Sequence, residues 1–201
     1  MNRTSVLWER AVSRTSKIIS GIYLLALILT FHGCSSSFSG KEDVFINQMG
    51  REVRLGDFRG KVVLMDFIFT SCPNEGCERM TAQFLRVQEL LKNRLEKDLF
   101  LLSVSIDPEK DTAGALKAYA EKYRADPDAW FFLTGRPEAV DRLMKKYAVT
   151  WLKPDKDGKR HHKVVMALID RDGGKVAEYN DYNYDTDKII GDITRALGPE
   201  K

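Results

Sequence analysis

Nine consecutive residues, Lys61 to Phe69 (KVVLMDFIF), constrain this chain more than any other segment. The run is almost wholly apolar and rich in Val, Ile and Phe, as expected of a strand buried on both faces. A strand covered on both faces calls for helices above and below it, and so for an α/β domain with a parallel sheet. Leu99 to Ile106 reads as a second strand of the same kind.

The segments around these two strands complete the pattern. Val44 to Asn47 and Glu52 to Leu55, split by Met49-Gly50, read as a short hairpin. Met80, Phe84, Val87, Leu90 and Leu91 recur at helical spacing. Asp111-Thr112 opens a helix with Leu116, Tyr119, Ala120 and Tyr123 facing inward. Trp130 to Leu133 is a short strand, and Pro137 starts a helix that buries Val140, Leu143, Met144 and Tyr147. Lys163 to Asp170 is the next strand, Asp172-Gly173-Gly174 a hairpin turn and Lys175 to Tyr179 its partner. Ile189, Ile190, Ile193 and Leu197 mark a closing helix. The order β, α, β, α, β, α, β, β, α is that of a thioredoxin-like α/β domain: a central mixed sheet flanked by helices, here with an N-terminal hairpin extension.

The first 33 of the 201 residues read as an address label. A basic stretch with Arg3, Arg10, Arg14 and Lys17 precedes an apolar run from Ile18 to Phe31, shorter than the roughly 20 residues of a bilayer span. Charged, then apolar, then Gly33-Cys34 is the order of a secretory signal ending at a lipidation site, with an uncleaved signal anchor as the alternative. Residues 34–43 would be a lipidated Cys34 and a Ser-rich tether, and 44–201 the domain, held to a membrane outside the cytoplasm. The basic excess belongs to the label: from Cys34 onward the chain holds 28 basic and 28 acidic residues. That balance gives no support to nucleic-acid binding.

A mature domain of this size buries roughly 70% of its unfolded surface and needs no disulfide staple. Cys72 and Cys77 are therefore free for chemistry. They fall between a buried strand and a helix start, where α/β sheets place their sites and where the helix dipole favours thiolate. The residues between them, Pro73-Asn74-Glu75-Gly76, allow a redox-active disulfide, a structural disulfide, or two thiolates on one metal ion. Spacing alone does not choose among these.

Three segments, FIFTSCPNEGCERMTAQF, SIDPEKDTAGALKAYAEKYRADPDAWFFLTG and HHKVVMALIDRDG, resemble the SCO/SenC family of membrane-tethered, thioredoxin-fold copper chaperones. The resemblance runs over about residues 44 to 197. Asp107-Pro108-Glu109, Asp111-Thr112, Leu116, Tyr119, Trp130 and Leu133-Thr134-Gly135 carry its most specific part. It implies copper delivery to the binuclear centre of cytochrome c oxidase, or to another extracytoplasmic cuproprotein. It also implies a copper site of two cysteines and one histidine, here Cys72, Cys77 and His162, the last standing eight residues before Asp170. Such donors suit Cu(I), or Cu(II) with a further ligand. Zinc is the competing ion, with its tetrahedral shell left one ligand short.

The chain departs from the family pattern in having four residues rather than three between the cysteines, and Glu78 rather than Pro after the second. His161 and Lys163 flank the histidine where Asp and Ser are usual. Lys163 sets a positive charge beside a cationic site. His161, as a strand neighbour of His162, is expected on the opposite face and so as a non-ligand.

The alternative function is a membrane-tethered thiol–disulfide oxidoreductase cycling Cys72 and Cys77 against partner cysteines. Against a general reductase, Ser71 precedes the pair where thioredoxin-like reductases have Trp, and Val164 stands where they have Pro. A third possibility is a binding module with a permanent disulfide. Asp155-x-Asp157-Gly158 and Asp170-x-Asp172-Gly173 begin like calcium loops but lack the ligands that follow, and read as turns. Tyr179, Tyr182 and Tyr184 among Asp181, Asp185 and Asp187 read as a polar loop and helix start, and Lys92, Arg94, Glu96 and Lys97 as a solvated helix end.

Overall fold

A computed structural model describes residues 43–72, 75–153, 156–158, 161–163, 165–180 and 185–199. The expectations for the signal segment 1–33 and for Cys34 lie outside the described residues, and no helix among those described is long and apolar enough to cross a membrane.

Seven strands form one sheet: β1 (Val44–Asn47), β2 (Glu52–Arg54), β3 (Val62–Ile68), β4 (Leu99–Ser105), β5 (Trp130–Gly135), β6 (Met166–Ile169) and β7 (Lys175–Tyr179). Their order across the sheet is β2-β1-β5-β4-β3-β6-β7. β3, β4 and β5 run parallel, with Val62 opposite Leu99 and Leu101 opposite Trp130. β6 joins β3 antiparallel, pairing Val63 with Ile169 and Asp66 with Met166, and β7 closes that side. The N-terminal hairpin is no appendage. β1 pairs antiparallel with β5, so the hairpin forms the other edge of the same sheet.

All seven residues of β3 are buried, as its unbroken apolar run predicts. Val63, Met65 and Phe67 face a core with Phe45, Leu102, Val104 and Leu133, closed by α3 (Pro137–Lys146) through Val140, Leu143 and Met144. Val62, Leu64 and Ile68 face the opposite core. There α1 (Glu75–Leu90), α2 (Ala113–Lys122) and α4 (Thr186–Leu197) contribute Met80, Phe84, Val87, Leu116, Ile189 and Ile193. Thr112 caps α2 by accepting from Ala115 N–H at 3.2 Å, and Asp185 caps α4 by accepting from Lys188 N–H at 3.0 Å. Asp170 Oδ1 accepts from the amides of Asp172 and Gly174, with Gly173 at φ +84°, which makes that Asp-x-Asp-Gly a turn. Tyr179 donates its hydroxyl hydrogen to Asp192 at 2.8 Å, while residues 181–184 lie outside the described residues.

Three expectations are corrected. Leu90 is exposed, because Met80, Phe84, Val87 and Leu91 make the inward stripe and Leu90 lies beside it. Arg94 is buried rather than solvated: its guanidinium donates twice to Asp98, at 3.1 and 2.6 Å, and Asp98 also takes Arg171 at 3.0 Å. The strand expected over Lys163 to Asp170 begins only at Met166. Continuing the register would set Lys163 against Phe69 and His162 against Thr70. Those backbone groups are already committed, Phe69 O to the Cys72 amide and Thr70 N–H to Asp111. Residues 161–163 pair instead with Thr150–Leu152, through Leu152 N–H to His161 O and Lys163 N–H to Thr150 O, both 2.8 Å.

Candidate metal centre

The sequence folds toward its cysteines through a tight turn. β3 ends at Ile68, and the Cys72 amide donates to Phe69 O at 3.1 Å, so Cys72 closes the turn that leaves the sheet. Cys77 lies in the first part of α1, 3% exposed, while Cys72 is half-buried. The two sulfurs form a disulfide, with their Cα atoms 6.4 Å apart.

The His162 ribbon arrives from the other side. Trp151 and His162 face each other across it, their rings 6.3 Å apart, and both rings stand edge-on to Phe69, at 5.4 and 5.6 Å. His162 is only 2% exposed, and its Nε2 stands 4.0 Å from Cys77 Sγ. Its Nδ1 lies 3.0 Å from the Lys163 carbonyl oxygen. A carbonyl only accepts, so Nδ1 carries the hydrogen and Nε2 presents its lone pair to the sulfur. Burial lowers the imidazole pKa; the Lys163 carbonyl opposes this and the neighbouring His161 adds to it. The ring is therefore neutral at neutral pH, the state in which imidazole ligates metals.

The donor chemistry fits one soft ion. Metal–sulfur and metal–nitrogen bonds of about 2.3 and 2.0 Å, the lengths known for zinc, hold their ligands roughly 3.5 to 4.3 Å apart. The sulfur–imidazole separation of 4.0 Å falls inside that window. Hydrogen-bonding the far ring nitrogen to a carbonyl is also how ligating histidines are commonly oriented. In the disulfide form the sulfurs have no thiolate to offer, so ligation begins with reduction.

The structure brings Cys72, Cys77 and His162 together and leaves His161 out. Cross-strand pairing puts Trp151 and His162 on one face of the ribbon and Leu152, His161 and Lys163 on the other. The Lys163 ammonium acts on Glu178, whose pKa is lowered first by Lys175 and Asn180 and only lastly by Lys163, while the Lys163 carbonyl serves His162. Val164 lies outside the described residues.

In the sequence Asp111 reads as a helix opener and as part of the family-like segment, with no role at the site. Its carboxylate is buried and accepts from Thr70 N–H at 3.1 Å, Thr70 Oγ1–H at 2.5 Å and Ser105 Oγ–H at 2.6 Å. An acid in the loop after β4, level with the end of β3, was the available signal. Phe69 and Trp151, which wall the imidazole, carried no signal beyond their hydrophobicity.

The SCO1/SenC family model matches residues 36–198. The SCO1 protein homolog of Bacillus subtilis is 32% identical over 190 residues, covering 90% of this chain and 97% of that protein. The structure of Bradyrhizobium japonicum ScoI with copper bound superposes with a TM-score of 0.65 at 26% identity, over 79% of this chain and 99% of that one. BsSco, described as having a disulfide switch and as a member of the Sco family of cytochrome c oxidase assembly proteins, gives a TM-score of 0.67 at 32% identity, over 80% and 94%. The fold is thioredoxin-like, and with a family model spanning its whole folded domain the chain belongs to the SCO1/SenC family.

Proposed function

We propose that this protein binds copper through Cys72, Cys77 and His162 and hands it to the copper-accepting subunit of cytochrome c oxidase or to another extracytoplasmic cuproprotein. The observation that carries the reading is the neutral, tautomer-fixed imidazole aimed at Cys77 from 4.0 Å, beside a cysteine pair at the end of the central strand. Copper bound to a family member and the assembly role of another support it. The N-terminal basic and apolar segment supports a membrane-tethered location outside the cytoplasm, with Cys34 the site of lipidation if the segment is cleaved.

Loading proceeds in two balanced steps. A dithiol donor reduces the Cys72–Cys77 disulfide by exchange, giving two thiols here and a disulfide on the donor. Cu(I) then displaces the two thiol protons, and His162 supplies the third donor through Nε2 without a proton change at neutral pH. Half-buried Cys72 is the sulfur an incoming acceptor meets first; Cys77 and His162 lie beneath it. Ligand exchange through Cys72 passes the ion on with no change in oxidation state. Cycling of the pair against partner thiols, the oxidoreductase alternative, requires no third donor and leaves the position of His162 unused.

Anaerobic Cu(I) titration of the reduced protein gives one equivalent bound. Cys72→Ala, Cys77→Ala and His162→Ala each weaken binding by at least about tenfold, since losing even an outer partner of a metal ligand costs about 10–100-fold. Wild-type affinity in all three variants overturns the reading.

A further inference from the structure

The Asp107-Pro108-Glu109-Lys110-Asp111-Thr112 segment, singled out by its pattern, has no part in the ligand set, and the structure gives it one. We infer that Asp111 is a positioning residue for Cys72, acting through Thr70. The inference deepens the copper reading and rests on it for what Cys72 does, but its test does not need copper.

Cys72 is presented by a turn of four residues, Phe69 to Cys72. Its first tether is the turn's own bond, Cys72 N–H to Phe69 O. The second is Asp111, which takes both the backbone N–H and the hydroxyl of Thr70, the turn's second residue. One carboxylate thus fixes the direction in which the chain leaves β3. The carboxylate is itself held: Ser105 Oγ donates to it at 2.6 Å from the end of β4, and the Asp111 amide donates to Asp107 O at 2.9 Å. Ser105 Oγ in turn accepts from Asp107 N–H at 3.1 Å. The motif is therefore a closed loop of hydrogen bonds, 1% exposed at Asp111, that reaches the cysteine turn through Thr70.

Asp is required by the chemistry. The three donors converge on two oxygens, and a carboxylate accepts only, whereas Asn would turn an N–H₂ toward one of them. Ser105, on β4, is anchored in the sheet, so the arrangement transmits the rigidity of the sheet to the cysteine turn.

Freed of this tether, the turn would hold Cys72 less often within reach of Cys77. Closing the disulfide, or closing two thiolates on one ion, would then cost more ordering entropy. The test is the equilibrium of the Cys72–Cys77 disulfide against dithiothreitol buffers, with Cu(I) competition and urea unfolding measured in parallel. Asp111→Asn and Thr70→Val each make the disulfide at least tenfold easier to reduce, a rise of about 30 mV, and weaken Cu(I) binding to a similar degree. Thr70→Val keeps the carboxylate and its Ser105 bond, so it serves if Asp111→Asn does not fold. Thr112→Ala, a cap loss in the adjoining residue, lowers stability and leaves the disulfide equilibrium within twofold. A wild-type equilibrium in folded Thr70→Val, or a shift in Thr112→Ala as large as in Thr70→Val, overturns the inference. A shifted equilibrium in a protein that binds no copper upholds it and removes the copper reading alone.

Discussion

In the middle of β3 the carboxylate of Asp66 is wholly buried, and among the described residues neither oxygen has a well-formed hydrogen bond, only the weaker pull of Ser103 on the neighbouring strand. Some distance along, where β4 runs out into its loop, the equally buried carboxylate of Asp111 receives three hydrogens from Thr70 and Ser105. A buried charge is tolerable only when paired or hydrogen-bonded; otherwise the group takes up a proton. Asp111 is fully hydrogen-bonded. Asp66 follows the second course: burial pushes its pKa to about 7, and Ser103 across the ladder pulls it back only in part. Asp98, at the other end of the sheet, is stabilised as a charge by the Arg94 guanidinium and then by Arg171, and its pKa is lowered. Location accounts for the difference. Strand ends offer free backbone donors and loop hydroxyls, whereas the interior of a complete ladder has committed its own.

The largest expected effect comes from replacing each of the two aspartates by Asn and reading stability at pH 8. A folded pKa of about 7 against the ordinary 3.8 means that folded Asp66 holds its proton more tightly than the unfolded chain. Its contribution is intact below about pH 4, is lost as pH rises, and levels off above about 7. Three units at 1.36 kcal/mol each make the full loss about 4 kcal/mol. His162, with its pKa lowered by burial, works in the opposite direction below its unfolded value, so the informative quantity is the difference between variant and wild type at each pH. Asp66→Asn therefore gains on wild type steadily from pH 4 to 7 in urea unfolding and ends more stable at pH 8. A pH-independent difference would show that Ser103 and the local backbone offset the burial of Asp66 in full.

Asp111→Asn should move stability the other way at the same pH. It turns a donor toward Thr70 or Ser105 and weakens bonds to a charged acceptor, which are worth about 1.5–3 kcal/mol each. A loss of about 3 kcal/mol at pH 8 is expected from the same urea titrations. Equal signs for the two Asn variants would break the contrast between them.

That contrast was not legible in the sequence, and the reason is physical. The apolar run Lys61–Phe69 fixes β3 as a doubly covered strand because hydrophobic patterning is local. Helix starts at Thr112, Pro137 and Asp185 are local too, since each is set by one side chain and the next turn. Whether a buried acid finds donors depends on residues 6 to 41 positions away, as Asp111 does on Ser105 and Thr70. Arg94 looked solvated because the binding geometry at Asp98 includes Arg171, 73 residues on from that aspartate. The same limit applied to the candidate site. Residue types and a family resemblance named Cys72, Cys77 and His162, but the tautomer of His162 and the ribbon that carries it rest on pairing with Thr150–Leu152, which no periodicity announces.

The smallest effect sharpens the comparison by separating the Asp111 carboxylate from the helix it precedes. Thr112 Oγ1 accepts from Ala115 N–H and caps α2, whose Leu116 and Ala120 pack against the core beneath α1. Thr112→Ala leaves that amide to water at the exposed helix end and costs about 1 kcal/mol, the usual worth of a cap. The carboxylate bonds of Asp111 do not pass through Thr112, so the loss should add to that of Asp111→Asn rather than overlap it. A double variant destabilised by the sum of the two, within about 0.5 kcal/mol, assigns the Asp111 effect to its own three donors. A double variant no worse than Asp111→Asn alone would mean that both substitutions act by fraying α2, and Asp111 would then be a helix opener after all.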